Sequence, residues 1–435
     1  MKISSAEYVN FFRHSSPYIN THRGSTFVIQ LGGATLADEG FDNIIHDIAL
    51  LNSLGVRLVL VFGARPQIEQ RVNERGIHCE FHDDLRLTSK EVLDSVKDAV
   101  GSLRIRIEAL LSMGLANSPM HGARIRVVSG NFVTAKPLGV VDGIDFQQTG
   151  EVRRVDHEAI SQLLDDGYVV LLSCLGSSPT GEVFNLPVEQ VATATAAALK
   201  AEKLILYGSS DGICNTSNEL QRQMRIHQAR TLLHDIEGEP RRLLRAALDA
   251  CASGVSRSHI IGHGTDGALL QELFTRDGAG TLVAKEGYEE IRQANIEDVV
   301  GILELIQPLE EQGVLVRRSR KQLEREIDLF TVVERDGMII GCASLHPFTD
   351  ARRAELACVA IHPDYRKSNR GDLLLENAEE FARGKGIEHL FVLTTRTAHW
   401  FIERGFREIH VEQLPEAKKE LYNLQRNSKV FEKQL

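Results

Sequence analysis

Two kinds of stretch in this sequence carry residue types suited to anionic ligands. The first is Val359-Ala360-Ile361-His362-Pro363-Asp364-Tyr365-Arg366-Lys367-Ser368-Asn369-Arg370-Gly371, which runs from a strand-like segment through a polar loop into a helical pattern. Loop N–H groups, the N-terminus of the following helix and the cations Arg366, Lys367 and Arg370 together suit a pyrophosphate. The plainer reading is a basic, solvated loop. The second kind is a pair of glycine turns, Gln30-Leu31-Gly32-Gly33 and Phe62-Gly63-Ala64-Arg65-Pro66, each following an apolar run. Turns of this kind are where α/β sheets bind anions, yet they also serve simply to reverse a chain.

The elements that must position these residues follow from periodicity. Phe27 to Leu31, Val56 to Phe62, Tyr168 to Ser173, Lys203 to Tyr207 and Ser258 to Ile261 read as buried strands. Between them Phe41 to Leu54, Ile68 to Arg75, Thr88 to Leu115, Asp156 to Asp166 and Val188 to Lys200 read as helices, with capping-box spacing at Thr88 and Glu91. Alternating strands and helices predict a mostly parallel sheet covered on both faces. After Thr281 to Ala284 the rhythm changes. Strands are expected at Glu289 to Gln293, Phe330 to Glu334, Met338 to Leu345, Glu355 to Ile361, His389 to Thr394 and after Asn427, with helices at Ile296 to Leu309, after Gly371 and from Thr397. The join is expected near residues 284–288, giving domains over 1–285 and 286–435.

Composition narrows the function classes. The 435 residues are 43% hydrophobic and 25% charged, enough to bury two or three domain cores. Net charge is −10, with 50 Lys and Arg against 60 Asp and Glu and no block of like charge, which argues against a nucleic-acid partner or a basic membrane face. No apolar run approaches the roughly 20 residues of a bilayer span. The six cysteines show no Cys-x-x-Cys and no zinc-type spacing, so no metal is expected and a reducing cytoplasm is.

Gln30 to Gly33, Leu85-Arg86-Leu87-Thr88, Asn185, Leu199 to Leu206 and Leu269 to Thr275 resemble the amino acid kinase family, particularly its acetylglutamate kinases, over about the first 285 residues. That resemblance implies an α/β fold, a parallel-rich αβα sandwich. It also exposes departures. Gln30 stands where the phosphoryl-transferring members carry lysine, Ala64 and Arg65 replace glycines of the second turn, and Glu189 matches a catalytic aspartate. Without the lysine charge, developing phosphate charge goes unmet, so a non-catalytic, regulatory domain is expected. In arginine-sensitive relatives an N-terminal helix and the Glu-Leu-Phe-Thr region enclose an allosteric arginine. The matching residues are Tyr18, Lys203, Glu272, Arg276, Gly278 and Gly280, with Glu272 placed to take a guanidinium. From the residues alone, Glu272 reads more readily as a solvated helix charge, with Gly278 and Gly280 only turning the chain, and it is the resemblance that favours the arginine site.

The loop at Arg366 to Gly371 is similar to the acetyl-CoA loop of GNAT acetyltransferases, implying a mixed α/β second domain. Asn369 fills the first glycine position, tolerable because asparagine accepts positive φ. The resemblance implies acetyl-CoA contacts from Val359, Ile361, Arg366, Lys367, Ser368, Asn369, Arg370, Gly371 and Asp372. Acyl transfer to an amine needs a base, an oxyanion donor and a proton for the thiolate. Glu355 is the candidate base, a backbone N–H near Val359 the oxyanion donor, and Thr394 or a water the acid. Cys358 is a candidate covalent relay, less favoured because a buried cysteine is ordinarily packing. Glu355 and Cys358 are three apart, so they share a face of the strand only across a bulge.

The two folds in this order resemble the bacterial N-acetylglutamate synthase family over all 435 residues. That implies acetyl-CoA as co-substrate with no permanently bound cofactor, L-glutamate as acceptor, N-acetyl-L-glutamate and CoA as products, L-arginine as inhibitor, and a homo-oligomer, hexameric in relatives. Arg318, Arg426 and Ser428, in Val316 to Arg320 and Gln425 to Lys429, match the family's glutamate-binding segments. An acetylglutamate kinase and a non-catalytic arginine-sensing adaptor stay as alternatives.

Overall fold

The structure is a computed structural model that describes residues 5–114, 120–275, 277–284, 289–335, 337–366, 369–419 and 428–435. The chain divides into two compact units, Met1–Glu286 and Gly287–Leu435.

In the first unit Thr26–Leu31 (β1) and Lys203–Gly208 (β5) are buried along their whole length, as strands covered on both faces must be. They lie at the centre of an eight-stranded sheet with Arg57–Phe62 (β2), Val127–Val128 (β3), Val169–Ser173 (β4), Gln223–Arg225 (β6), Arg257–Gly262 (β7) and Thr281–Ala284 (β8), in the order β6-β8-β7-β5-β1-β2-β4-β3. Only the β7/β8 pair is antiparallel. Phe27, Ile29 and Leu31 enter one core and Val28, Leu204 and Leu206 the other. Helices Ser5–His22 (α1), Arg65–Glu74 (α2), Lys90–Leu111 (α3), Val188–Ala198 (α4), Gly238–Ala252 (α5) and Ala268–Phe274 (α6) are among those that cover the faces.

The expected strands and helices of this unit are present, and two differences stand out. A second, four-stranded sheet of Val183–Asn185, Leu175–Ser177, Val133–Pro137 and Gly150–Val155 was not legible, because its strands are short and half polar. The long helix is capped by Ser89, whose hydroxyl accepts from Val92 N–H at 3.2 Å, rather than by Thr88. Thr88 is committed elsewhere: its Oγ1 takes hydrogen bonds from Thr149 at 2.8 Å and Asn185 at 3.1 Å.

The second unit is a seven-stranded sheet of Glu289–Gln293 (β9), Phe330–Arg335 (β10), Met338–Phe348 (β11), Arg353–Ile361 (β12), His389–Thr394 (β13), Arg407–Ile409 (β14) and Lys429–Gln434 (β15), ordered β9-β10-β11-β12-β13-β15-β14. Val299–Glu311 (α7) packs with one face, and Arg370–Gly384 (α8) with the other. All pairs are antiparallel except β12/β13, which run parallel and pair only over Arg353–Glu355. Beyond Glu355 the two strands part, and that edge of β12 has no strand partner among the described residues. Among these residues no helix is long and apolar enough to cross a membrane.

Candidate active site

The split between β12 and β13 carries the chemistry of the second unit. Glu355 sits at its apex, buried, with Oε2 2.6 Å from Lys418 Nζ. Beyond it, the pairing of β11 with β12 shifts register between Cys342 and Ser344, and Cys358 adopts φ +52°, so the bulge is real. Ala354 and Leu356 enter one core while Cys358 and Ala360 enter the other. Because side chains alternate along a strand, the bulge places Cys358 on the face of Glu355.

Past the bulge a cavity of about 570 Å³, the size of ordinary small-molecule sites, is lined by Val359, Ile361, Arg366, Asn369, Gly371 and Asp372, with Thr397, Trp400, Phe401 and Arg404 from the next helix, Ala398–Ile402 (α9), and its flanks. A Cβ at Gly371 would stand 3.1 Å from Trp400 Cζ2, so a side chain there is accommodated only if the indole gives way by a few tenths of an ångström. Asn369 has φ −63°, so the positive φ expected at this position is not used. A 3₁₀ segment, Pro363–Tyr365, lies ahead of it in the loop. Arg366 hydrogen-bonds the Ile361 carbonyl at 3.3 Å. Arg370 does not line the cavity; it grips Glu289 with two hydrogen bonds and stacks over Tyr365. The Arg404 hydrogen bond holds the Asp372 carboxyl below its usual range, and Arg404 covers the Trp400 ring at 4.0 Å. Lys367 and Ser368 lie outside the described residues.

The acceptor side is built around Glu355. His346 is its cross-strand partner, with Nε2 3.1 Å from Ser344 Oγ, and burial pushes its pKa down, keeping the imidazole neutral. Arg318, ahead of the short helix Arg320–Glu326, is half-buried, and its Nε is buried without a hydrogen-bond partner. Its charge is felt at both His346 and Cys358. The Cys342 hydrogen bond, aided by Arg318, lowers the pKa of the buried Cys358 thiol. Thr394, at the end of β13, accepts N–H bonds from Arg396 and Thr397 and shares a 2.8 Å hydroxyl contact with Thr397. Ser428 is buried immediately before β15. Arg426 lies outside the described residues. Periodicity passed over Lys418 and His346; among the available signals, only register could have found His346.

In the first unit a cleft of about 180 Å³ lies between the two glycine turns. Gln30 is 2% exposed, and its Oε1 has no partner. Arg65 meets Asp84 and lies 4.8 Å over Phe81, Arg86 pairs with Glu69 at 3.2 Å, and Arg242 reaches Asp84 at 3.0 Å and Glu189 at 3.4 Å. Burial and the neighbouring Arg242 depress the Arg65 pKa.

Around Glu272 the structure adds His259, which was not anticipated. Glu272 Oε1 lies 2.7 Å from His259 Nδ1, and Oε2 accepts N–H bonds from Ala279 at 2.6 Å and Gly280 at 2.9 Å. Burial opposes ionisation of Glu272, but these hydrogen bonds outweigh it and hold the carboxyl at about 2. Burial and Lys203 lower the His259 pKa, while its contact with Glu272 raises it. Gly278 has φ +63°, and a Cβ there would fall 2.5 Å from Glu272 Oε2. Both Glu272 oxygens thus hold hydrogen bonds within the fold, with Oε1 carrying one and Oε2 two. Lys203 is buried against Phe27, and Tyr18 packs on the core below α1, which is tied to α6 by His22 and the Leu273 carbonyl. Arg276 lies outside the described residues.

Residues 25–262 match the amino acid kinase family and residues 296–406 the acetyltransferase (GNAT) family. The chain is 58% identical over 428 residues to an amino-acid acetyltransferase of Pseudomonas syringae pv. tomato, covering 98% of this chain and 99% of that one. The chain belongs to the amino-acid acetyltransferase family. A second member, from Azotobacter vinelandii, is 58% identical over 433 residues, 99% of this chain and all of that one. The crystal structure of N-acetylglutamate synthase from Neisseria gonorrhoeae complexed with coenzyme A and L-arginine matches with TM-score 0.91 and 38% identity, over 98% of this chain and 99% of that one. As an amino-acid acetyltransferase this protein is an acyltransferase, with a kinase-like first domain and a GNAT second domain.

Proposed function

We propose that this acetyltransferase moves the acetyl group of acetyl-CoA to the α-amine of L-glutamate, giving N-acetyl-L-glutamate and CoA. This would be the opening step of arginine biosynthesis in the cytoplasm, restrained by L-arginine bound to a kinase-like domain (1–285) that performs no phosphoryl transfer. The observation that carries the reading is on β12: one strand presents a buried carboxylate at Glu355 and, past the bulge, an unpaired edge beside a cavity of cofactor size. The gonococcal enzyme's two complexes, one with coenzyme A and L-arginine and one with coenzyme A and N-acetyl-glutamate, support the choice of ligands.

In this reading Arg366 and the N-terminus of α8 hold the pyrophosphate of the donor, and Trp400 and Phe401 wall its path. Arg318, Arg426 and Ser428 hold the acceptor's carboxylates. Glu355 takes the proton of the acceptor ammonium, directly or through a water. The freed amine attacks the thioester carbonyl, whose oxygen is met by the Val359 N–H. The thiolate leaves as such or is protonated by a water, since Thr394 is already committed to capping the turn that follows it. Cys358 packs against Cys342 and serves the bulge rather than a covalent step. For the regulatory site, Lys203, Glu272, Gly278 and Gly280 supply the polar rim, and L-arginine binding redistributes the hydrogen bonds of Glu272. A hexamer is the assembly expected from the family. Thiol release measured across the amino acids, with and without L-arginine, tests the whole reading; selective acetylation of another amino acid would end the glutamate assignment.

A further inference from the structure

Lys418 lies in a short helical turn, Glu416–Lys419 (α10), held firmly against the second sheet. Leu414 is buried with Phe391 and Val430, Arg353 donates to the Gln413 carbonyl, and Lys418 N–H closes on the Pro415 carbonyl at 2.8 Å. Its ammonium therefore reaches Glu355 from an anchored backbone, and the pair is largely buried, with 19% and 10% of the two side chains exposed. Exposed ion pairs carry little geometric meaning, but this contact places a primary amine, 2.6 Å away, on the carboxylate assigned as the base. An acceptor amine that gives its proton to Glu355 directly must come within the same hydrogen-bond reach of this carboxylate.

We infer that Lys418 is an internal acetyl acceptor: with no amino acid bound, its Nζ takes the acetyl group of acetyl-CoA. The inference rests on the reading of Glu355 as base. One ammonium proton passes to the Glu355 carboxylate, and the Nζ lone pair attacks the thioester carbonyl carbon. The tetrahedral adduct collapses with loss of the C–S bond, and the remaining surplus proton on nitrogen is taken up by the leaving thiolate. One acetyl-CoA yields one Nε-acetyl-lysine and one CoA thiol, and the proton on Glu355 returns to solvent. The acetamide has lost its charge and with it the ion pair. The α-ammonium of an amino acid and Lys418 exclude one another on Glu355, so substrate protects the lysine.

Lys433 provides the control, because its Nζ is also 2.6 Å from a mostly buried carboxylate, Glu379, which has no part in the acceptor site. The full chain is incubated with acetyl-CoA alone, and acetylation is counted at each lysine by peptide mass spectrometry. Lys418 should be modified at least about tenfold faster than Lys433, a modest share of what a positioned base contributes. Saturating L-glutamate should suppress this in the wild-type protein, and Glu355→Gln should bring Lys418 down to the Lys433 level. Equal modification of the two lysines, or a Lys418 rate untouched by L-glutamate, overturns the inference. A protein that acetylates glutamate but leaves Lys418 unmodified overturns this inference alone. One that acetylates no amino acid overturns the reading beneath it.

Discussion

In the first domain's cleft Arg65, Arg86 and Arg242 all lie against carboxylates, those of Asp84, Glu69 and Glu189, and Gln30 offers no charge. In the second domain Arg366, on the cavity wall, donates to a backbone carbonyl and meets no carboxylate among the described residues, while Arg404 on the same wall pairs with Asp372; Arg318, outside that cavity, has its Nε buried without a hydrogen-bond partner among the described residues. Both regions place a turn at the end of a strand and arginines around it. The difference lies in commitment. A cation already paired inside the fold must be uncoupled before it meets a ligand, and for pairs as exposed as these the cost is at most about 1 kcal/mol each. An uncommitted one adds its attraction directly. The first cleft keeps the outline of a phosphate site while pairing its arginines internally, and the second pairs Arg404 but leaves Arg366 without a carboxylate among the described residues.

The comparison can be broken most directly at Glu355. Glu355→Gln should lower kcat by about 10²- to 10⁴-fold, as loss of a general base does, while acetyl-CoA affinity measured by calorimetry is preserved; unchanged turnover would remove the second site from the argument. Arg318→Ala should lower kcat/KM for L-glutamate by roughly 10- to 100-fold, in line with the ~1.5–3 kcal/mol of a charged hydrogen bond, mainly through KM. A pure kcat effect would place Arg318 elsewhere in the mechanism.

The regulatory region gives a smaller effect with a defined pH window. The Glu272 carboxyl is held at about 2 against an ordinary 4.5, so its contribution to stability is complete above 4.5 and is lost as pH falls through about 2. Glu272→Gln should therefore cost about 1–3 kcal/mol near neutrality, seen in the denaturation midpoint. The gap from wild type should close in acid, and a gap constant with pH would contradict the hydrogen-bond account. The smallest effect is expected from Gln30→Lys. Restoring that one charge should leave ATP-dependent phosphorylation of N-acetylglutamate undetectable, because Ala64 and Arg65 still fill the second turn. Phosphoryl transfer in this variant would show that the cleft's internal pairs yield easily.

Legibility followed the range of the interactions involved. The central strands of both domains stood out because continuous burial leaves an unbroken apolar run. Arg366 and Gly371 stood out because their neighbours in sequence also line the cavity, whereas Glu355 was singled out through the family resemblance. Lys418 and His259 were not, since each meets its carboxylate through contacts that no local pattern encodes. Arg370 shows the converse: its loop position singled it out, yet Glu289 claims its charge, whereas Asp372 lines the cavity while paired with Arg404. The capping assignment failed at Thr88 for the same reason, as Thr149 and Asn185 had a prior claim on its hydroxyl.

From residue order alone came the alternation of strands and helices, its change of rhythm near residue 284 and the run that leads into the donor loop, properties set by local periodicity, while the two fold types and the missing cation at position 30 came from the resemblance to known families. The folded chain alone decided which charges are free. Whether an arginine or a carboxylate faces a ligand or another part of the protein depends on what tertiary packing brings within about 4 Å of it, and that distance is not written in the spacing of residues.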